Sequence, residues 1–471
     1  MKFSVNVPAF LPDQSANSGI LHTATNVYPA VDGYRPVKAP SVLSAALTSE
    51  FLGGGSFIAS SGASYLLAGT TTKLCRLASG AWTDLKTGLT INSRWKFVQF
   101  GDFVVAVNGA ATRQVDLIAG TDSALGAAPT GTDICVVGDW VVIAQPNGNL
   151  LKVRWSAFND HTAWTIGTDQ SGEQIMNTGG EVMGLAGGEY GVILQRFRLV
   201  RMSRTGDATA PFQFDEITPN YGCAAKGSIA QAGRSVFFLS DRGFMALEDG
   251  QALKPIGSEK FDRWFASKIT KDDYGRIWSV VDPANKLVFW GVEGGPGMIL
   301  VYNFEIDKAS TIEVPFSGLF AGYTSSLTLE EVSALYPDID AMPYSLDDPR
   351  FSGGDPRLYL VDADGALAVF GGDNLTATFG YAFAQINKGG VARLRNVRPV
   401  TDAAAGVTTT VDARARLGDA ANERTVTELR PSGIMPIRHS GRHMKLTHVV
   451  ADPGWSYYQG AEFDYDNGGE R

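Results

Sequence analysis

The sequence predicts an all-β fold, and three observations predict it. A short motif recurs along most of the chain: apolar strand, Gly- or Asp-centred turn, second apolar strand. Glycine is abundant, at 54 of 471 residues, while charged residues make up only 19%. That pairing suits tight turns between half-buried strands, not long helices with a charged face. Beyond position 376 the apolar residues alternate with period two.

In chain order the motif begins loosely as FIASSGASYLLAGTTTKLCRL at 57–77. It then reads FVQFGDFVVAVNG at 97–109, CVVGDWVVIAQPNG at 135–148, GLAGGEYGVILQRF at 184–197 and AQAGRSVFFLSDRG at 230–243. It continues as SVVDPANKLVFWGVEGG at 279–295 and closes as LYLVDADGALAVFGG at 358–372. About seven copies, spaced by roughly 35–50 residues and stretched to about 80 at the last, match the four-strand period of a β-propeller blade. A β-sandwich of repeated hairpins is the competing architecture. The expected organisation is an N-terminal extended arm over 1–45, a propeller of about seven blade-like repeats over 46–375, and a small β-sandwich-like domain over 376–471.

The arm is expected from PDQSANSGILHTATNVYPAVDGYRPVKAP at 12–40. Pro12, Pro29, Pro36 and Pro40 forbid a helix, and no charged start, apolar run and small-residue cleavage site marks a secretory signal. Aromatic Phe3, Phe10, Tyr28 and Tyr34 are the candidate anchors that hold it on folded protein. Two helices are expected among the strands. SEKFDRWFASKI at 258–269 puts Phe261, Trp264 and Phe265 on one face with Ser258 as N-cap. TLEEVSALYP at 328–337 has Thr328 and Glu331 in capping-box spacing and stops at Pro337, inside an insertion near 324–356.

Catalytic and metal chemistry find little support. Cys75, Cys135 and Cys223 are odd in number and far apart, so they read as buried small hydrophobes in a reducing compartment, not as disulfides or zinc ligands. The five histidines are His22, His161, His439, His443 and His448. His439 and His443 are spaced to share a strand face, but no cysteine joins them and His448 falls on the other face. Asp338, Asp340, Asp347 and Asp348 lie among prolines with no calcium-loop glycine, and read as an ordered loop without metal. Asp362 and Asp364 mark an Asp-Gly hairpin turn. SDRGF at 240–244 lacks the spacing and tryptophan of a sialidase Asp-box. No nucleophile elbow and no phosphate loop is present. The expectation is a protein that is no enzyme and has no cofactor and no metal.

The net charge of −9 argues against sequence-specific DNA binding, which needs basic surface. Basic residues of the C-terminal region are nearly all arginine. Arg393 and Arg395 would share one strand face, as would Arg414 and Arg416, and these four are the candidate subunit interface, pairing with carboxylates of a neighbour. The competing reading is a solvated face.

Several segments together resemble a known family: NVYPAVDGYRPV at 26–37, RWSAFNDHTAWT at 154–165, FQFDEITPNYGCAAKGSI at 212–229, VFFLSDRGFMAL at 236–247, MPYSLDDPRFSGG at 342–354, and the ending SGRHMKL…GWSYYQGAEF. They are similar to tailed-bacteriophage proteins of the tail nozzle or tail tubular B-like group, which includes packaged-DNA-stabilising tail proteins of short-tailed phages. The resemblance covers most of the chain. It implies a structural virion protein of the phage tail: a propeller with attached β-domains, assembled as a homo-oligomeric ring of six in the host bacterial cytoplasm. It implies contacts with other tail proteins (adaptor, tail fibre or spike), host envelope contact at the distal tip, and a lumen through which DNA is retained and then released without specific binding. It brings no catalytic residues. The alternative is a propeller binding module for host-surface carbohydrate or protein, and a glycan hydrolase is the third reading.

Overall fold

The computed structural model describes residues 2–6, 8–15, 20–78, 80–323, 333, 356–387 and 390–468. The chain is all-β. Among the described residues, six separate four-stranded sheets are present, and a seventh set of four forms one end of a nine-stranded sheet. In chain order, sheet 1 spans 51–86, sheet 2 96–124, sheet 3 133–175, sheet 4 182–218, sheet 5 230–255 and sheet 6 277–312, all antiparallel. Sheet 7 takes Gly318–Tyr323, Pro356–Val361 and Ala366–Asn374, and completes itself with Lys38–Ala46 from the N-terminal region.

The first strand of each sheet lies against the first strand of a neighbour. Sheets 1, 2, 3 and 4 follow one another this way, as do 5, 6 and 7, and the first strand of sheet 7 returns to that of sheet 1. Sheets 4 and 5 are joined by Gln231, whose side chain accepts from the Gly187 amide and donates to the Gly187 carbonyl. Gln99 does the same from sheet 2 to Ile58 of sheet 1. Each of the two glutamines also donates to the glycine carbonyl two places on, Gly101 or Gly233. These glycines turn the hairpin with φ of 60° and 59°, a conformation that favours glycine.

The recurring motif corresponds to strands one and two of sheets 2 to 6. Its last copy, LYLVDADGALAVFGG, is strands two and three of sheet 7, so its wide spacing reflects a one-strand offset as well as the insertion. Asp362 Oδ1 accepts the Asp364 and Ala366 amides, which makes this aspartate a turn residue.

C-terminal strands form two further layers. Ala377–Tyr381, His443–Val450, Val407–Arg414 and Glu423–Val426 extend sheet 6 by way of N-terminal Leu21–Thr25. Val391–Thr401, Met435–Gly441 and Tyr458–Gly468 form the other layer with N-terminal Val27–Ala30 and Gly33–Pro36, and Lys2–Asn6 pairs with Tyr458–Gly468. The stretch expected as an arm is therefore strand backbone paired in three sheets. Between the layers, the rings of Phe379 and Tyr458 stack at 3.7 Å, and the Tyr381 and Tyr458 hydroxyls bond at 2.8 Å.

The helix near 258–269 is Asp262–Lys268, and Ser258 does not cap it. The cap comes from far away: Asp13 accepts the Arg263 and Trp264 amides, one on each carboxylate oxygen. Thr328, Glu331, Asp338, Asp340, Asp347 and Asp348 lie outside the described residues.

Candidate functional site

The first strands surround a cavity of about 1040 Å³. Each of them is an edge strand, and side chains take several of its free backbone groups: Gln99 those of Ile58, Asp133 the Leu185 amide and Gln145 the Val182 carbonyl. Glycines keep that wall thin: Gly53, Gly54 and Gly55 line it from sheet 1 and Gly322 from sheet 7. Its volume falls in the range of small-molecule sites.

One end is crossed by a charged bridge. Arg94 precedes the first strand of sheet 2 and reaches sheet 6. There its Nη1 donates to the Ile277 carbonyl, its Nη2 pairs with Glu293 Oε1 at 3.3 Å, and its guanidinium lies 3.8 Å above the Trp278 ring. Trp278 Nε1 donates to the other oxygen of Glu293. Phe51 stacks on the Trp278 indole as well. Burial pulls the Arg94 pKa down and Glu293 opposes it. A Cβ on Gly227 would sit 1.9 Å from the Ile277 carbonyl oxygen, so glycine is required beside the bridge.

A second group stands next to it. Lys226 Nζ lies 3.5 Å from Glu181 Oε2 and 3.4 Å from Gln145 Oε1. Gln145 holds a left-handed backbone, φ 55°, and donates to the Val182 carbonyl at 2.7 Å. Asp133 is buried at the start of sheet 3, and its two oxygens accept the Ile134 and Leu185 amides. Burial pushes its pKa up, against the pull of Lys96 and Lys226. Lys96 also lines the cavity, and among the described residues no carboxylate stands within ion-pair distance of it.

None of these residues was singled out from the sequence. Each stands at a connector or a strand start, and only the fold gathers them. The available signal was a charged residue just ahead of the apolar first strand, as in SRWKF at 93–97 and TDICVV at 132–137.

The residues that were singled out lie elsewhere. Arg393 and Arg395 point outward from one strand, while Arg414 ends a strand of the other layer and Arg416 follows it. Arg395 pairs with Asp466, and Arg414 pairs with Asp412 while lying 4.8 Å over the Phe383 ring. The Arg416 amide donates to Asp419. Of the aromatic anchors, Phe10 and Tyr34 are buried, and the Phe10 amide donates to the Tyr34 hydroxyl at 3.0 Å. Tyr28 meets Phe289 of sheet 6 edge-on, and Phe3 pairs through its backbone with Phe463.

His439 and His443 fall on two different strands, which corrects their assignment to one face: His439 Nε2 meets the Asn422 carbonyl, and His443 lies beside Gln385. His448 is buried with its Nδ1 bonded to Thr409 Oγ1. The three cysteines are free and buried; burial pushes the Cys75 and Cys223 thiols up to about 12 and raises Cys135 as well, the opposite of a reactive thiolate. Among the described residues no group of three or more His, Cys, Asp or Glu is placed to hold a metal, and no helix is long and apolar enough to cross a membrane.

No protein-family model matches the chain. No curated protein matches it either. Among solved structures it is similar to the extracellular domain of a hybrid two-component system from B. thetaiotaomicron, with 10% identity and a TM-score of 0.42, over 82% of this chain and 47% of that one. It is similar to PorZ, a surface component of the type-IX secretion system of Porphyromonas gingivalis, with 12% identity and a TM-score of 0.38, over 74% of this chain and 43% of that one. It is also similar to virginiamycin B lyase from Staphylococcus aureus, with 12% identity and a TM-score of 0.42, over 70% of this chain and 98% of that one. The chain spans less than half the length of the first two. Likenesses of this strength carry nothing about function.

Proposed function

We propose that the seven sheets are the blades of a β-propeller and that the chain is a non-catalytic interaction scaffold, specifically a subunit of a ring at a bacteriophage tail. The closed succession of first strands supports the propeller, together with the N-terminal strand that completes sheet 7. The observation that carries the scaffold reading is the weave of residues 2–46 through sheet 7, sheet 6 and both C-terminal layers. It ties propeller and sandwich together at several points, as a load-bearing ring subunit needs. The tail assignment rests on the sequence resemblance. In this reading the ring has six copies, meets other tail proteins, and stands in the virion after assembly in the bacterial cytoplasm.

DNA would not run through a single chain. The Arg94–Glu293 bridge spans one end of the cavity, and a duplex whose major groove alone is about 12 Å wide needs a far broader path. The conduit would lie between copies, with the outward arginines Arg393 and Arg395 at or near the subunit contact. Mass photometry of the chain, alone and with co-expressed tail proteins, is the test. A discrete ring supports the reading, and a monomer under every condition refutes it.

The second reading is a binding module for carbohydrate or protein on a host surface. The cavity favours it, because its volume of about 1040 Å³ is in the range of ligand sites. A glycan array distinguishes it from the scaffold.

A further inference from the structure

Between strands three and four of sheet 3 the chain runs through sixteen residues, 156–171, where the same connection takes two to seven in sheets 1, 2, 4, 5 and 6. A connection of that length inside a packed unit is either a binding loop or a disordered one. This one is fixed. Trp164 is buried, its Nε1 donates to the His161 carbonyl at 2.7 Å, and its own carbonyl accepts from Arg154. His161 is buried as well, with Nε2 bonded to Gln114 Oε1 of sheet 2 at 2.8 Å and its ring 4.8 Å from Phe103. Asn159, Asp169 and Gln170 hold left-handed backbones, with φ of 53°, 47° and 66°, a costly conformation that persists only when the surroundings impose it.

On this base two large apolar side chains are left in solvent. Phe158 is 43% exposed and Ile166 52% exposed. The Phe158 ring rests 5.0 Å from Trp140, and its amide donates to the Asp169 carbonyl at 2.9 Å, so the loop folds back under both side chains.

The surroundings are acidic. In an antiparallel sheet the turns one–two and three–four leave at the same end. His161 joins these ends of sheets 2 and 3, and a bond from the Gly138 amide to the Gly188 carbonyl joins those of sheets 3 and 4. The six connections there carry Asp102, Asp139, Asp160, Asp169, Glu189 and Asp207, and no lysine or arginine. Arg204 reaches Asp139 from a strand end at 3.6 Å, and Arg234 acts on Glu189 while paired with Asp249. Most of the negative charge stays uncancelled. The turns two–three of the same sheets, at the other end, carry Arg196 and Arg198 and no carboxylate.

We propose that this end of sheets 2 to 4 is a docking surface for a basic polypeptide segment, whose apolar side chains cover Phe158 and Ile166 and whose lysines or arginines meet the surrounding carboxylates. An apolar centre inside a polar rim is the anatomy of a protein interface, and rim charge of one sign selects a partner of the other. The same rim repels nucleic acid and anionic lipid. The surface lies within one chain, so it is independent of ring assembly and of the tail assignment.

The test is fluorescence anisotropy of the full chain with a labelled peptide of four Lys-Leu-Gly repeats, at about 0.15 M salt, where long-range attraction between exposed charges is largely screened. Peptides of Glu-Leu-Gly and Lys-Ser-Gly repeats are the controls. The first is expected to bind at least about tenfold tighter than either control, since it alone meets both the rim and the apolar centre. Phe158→Ser combined with Ile166→Ser should bring it down to the level of the Lys-Ser-Gly peptide. Asp169→Asn combined with Asp207→Asn should weaken it and flatten its salt dependence. Phe197→Ser, at the arginine-bearing end, should leave it unchanged, and thermal unfolding confirms that every variant folds. No binding up to about 1 mM overturns the proposal. So does equal binding of the three peptides, a preference that survives loss of Phe158 and Ile166, or an equal weakening by Phe197→Ser.

Discussion

Asp13 and Trp264 stand 251 positions apart in the chain, yet the carboxylate of the first accepts the amide of the second at 2.7 Å. With the Arg263 amide on its other oxygen, Asp13 supplies the N-cap that the helix lacks locally. Asp13→Ala is expected to cost about 1–2 kcal/mol, the usual worth of a cap. Urea unfolding measures the loss, and hydrogen exchange should show faster opening of residues 8–15 and 262–268 together. A loss confined to the helix would mean that the N-terminal segment is held by other contacts.

Arg94 and Glu293 are expected to be energetically coupled. Their side chains are 21% and 28% exposed, so removing one leaves the other charge largely desolvated. Arg94→Ala should destabilise by about 2–4 kcal/mol, and the double variant with Glu293→Ala should cost clearly less than the sum of the two single changes. A double-mutant cycle in urea reads the difference; strict additivity would contradict the bridge.

His448 gives the chain a pH dependence of known sign. Burial depresses its pKa from 6.5 to about 3, and its Nε2 has no hydrogen-bond partner among the described residues. The folded state holds the neutral ring while the unfolded chain binds a proton below about 6.5. Stability from this group is whole above that value and falls by about 1.4 kcal/mol per pH unit beneath it, down to the folded pKa. Asp262 acts in the opposite sense: burial raises its pKa to about 6, so acidification from there toward 3.8 favours the folded state. Unfolding midpoints of wild type and His448→Gln at pH 7.5, 5.5 and 4.5 separate the two. The gap between the proteins should shift steadily in favour of His448→Gln as pH falls, and a constant gap would contradict it.

Tyr34→Phe removes the side-chain acceptor that the buried Phe10 amide has among the described residues, while keeping the ring that packs at 5.7 Å from Phe379. The expected loss is about 1–3 kcal/mol, the cost of one buried unsatisfied amide. Thermal unfolding checks it, with Tyr28→Phe as the comparison, because no hydrogen bond of the Tyr28 hydroxyl is among those of the described residues.

The local pattern was legible because hairpins are local. Lys96 to Val107 needs only its apolar pattern and a glycine at position 101 to declare two strands and a turn. What no local pattern reveals is pairing across the chain. Lys2–Asn6 finds Tyr458–Gly468, and Lys38–Ala46 finds Ala366–Asn374. Prolines 12, 29, 36 and 40 do forbid a helix, but they sit at strand positions and turns, so the segment is extended and paired where it was expected to be extended and draped. Ser258 had the residue type of a cap, and a distant aspartate took the role. The cavity charges were illegible for the same reason: Arg94 and Glu293 are unremarkable until sheets 2 and 6 face each other.

The strand Lys38–Ala46 is among the earliest segments a ribosome releases, and its partner Ala366–Asn374 is among the later ones. At about 5–20 residues per second the wait is on the order of tens of seconds. For most of that interval none of the other strands of sheet 7 has been made, since they begin at Gly318, and the growing chain carries an unpaired strand. Closure therefore reports completeness: in a chain broken off before position 366 Lys38–Ala46 has no partner, and the chain stays marked for chaperones and proteases. The same waiting strand makes exchange between neighbouring nascent chains on one message the characteristic misassembly of this fold.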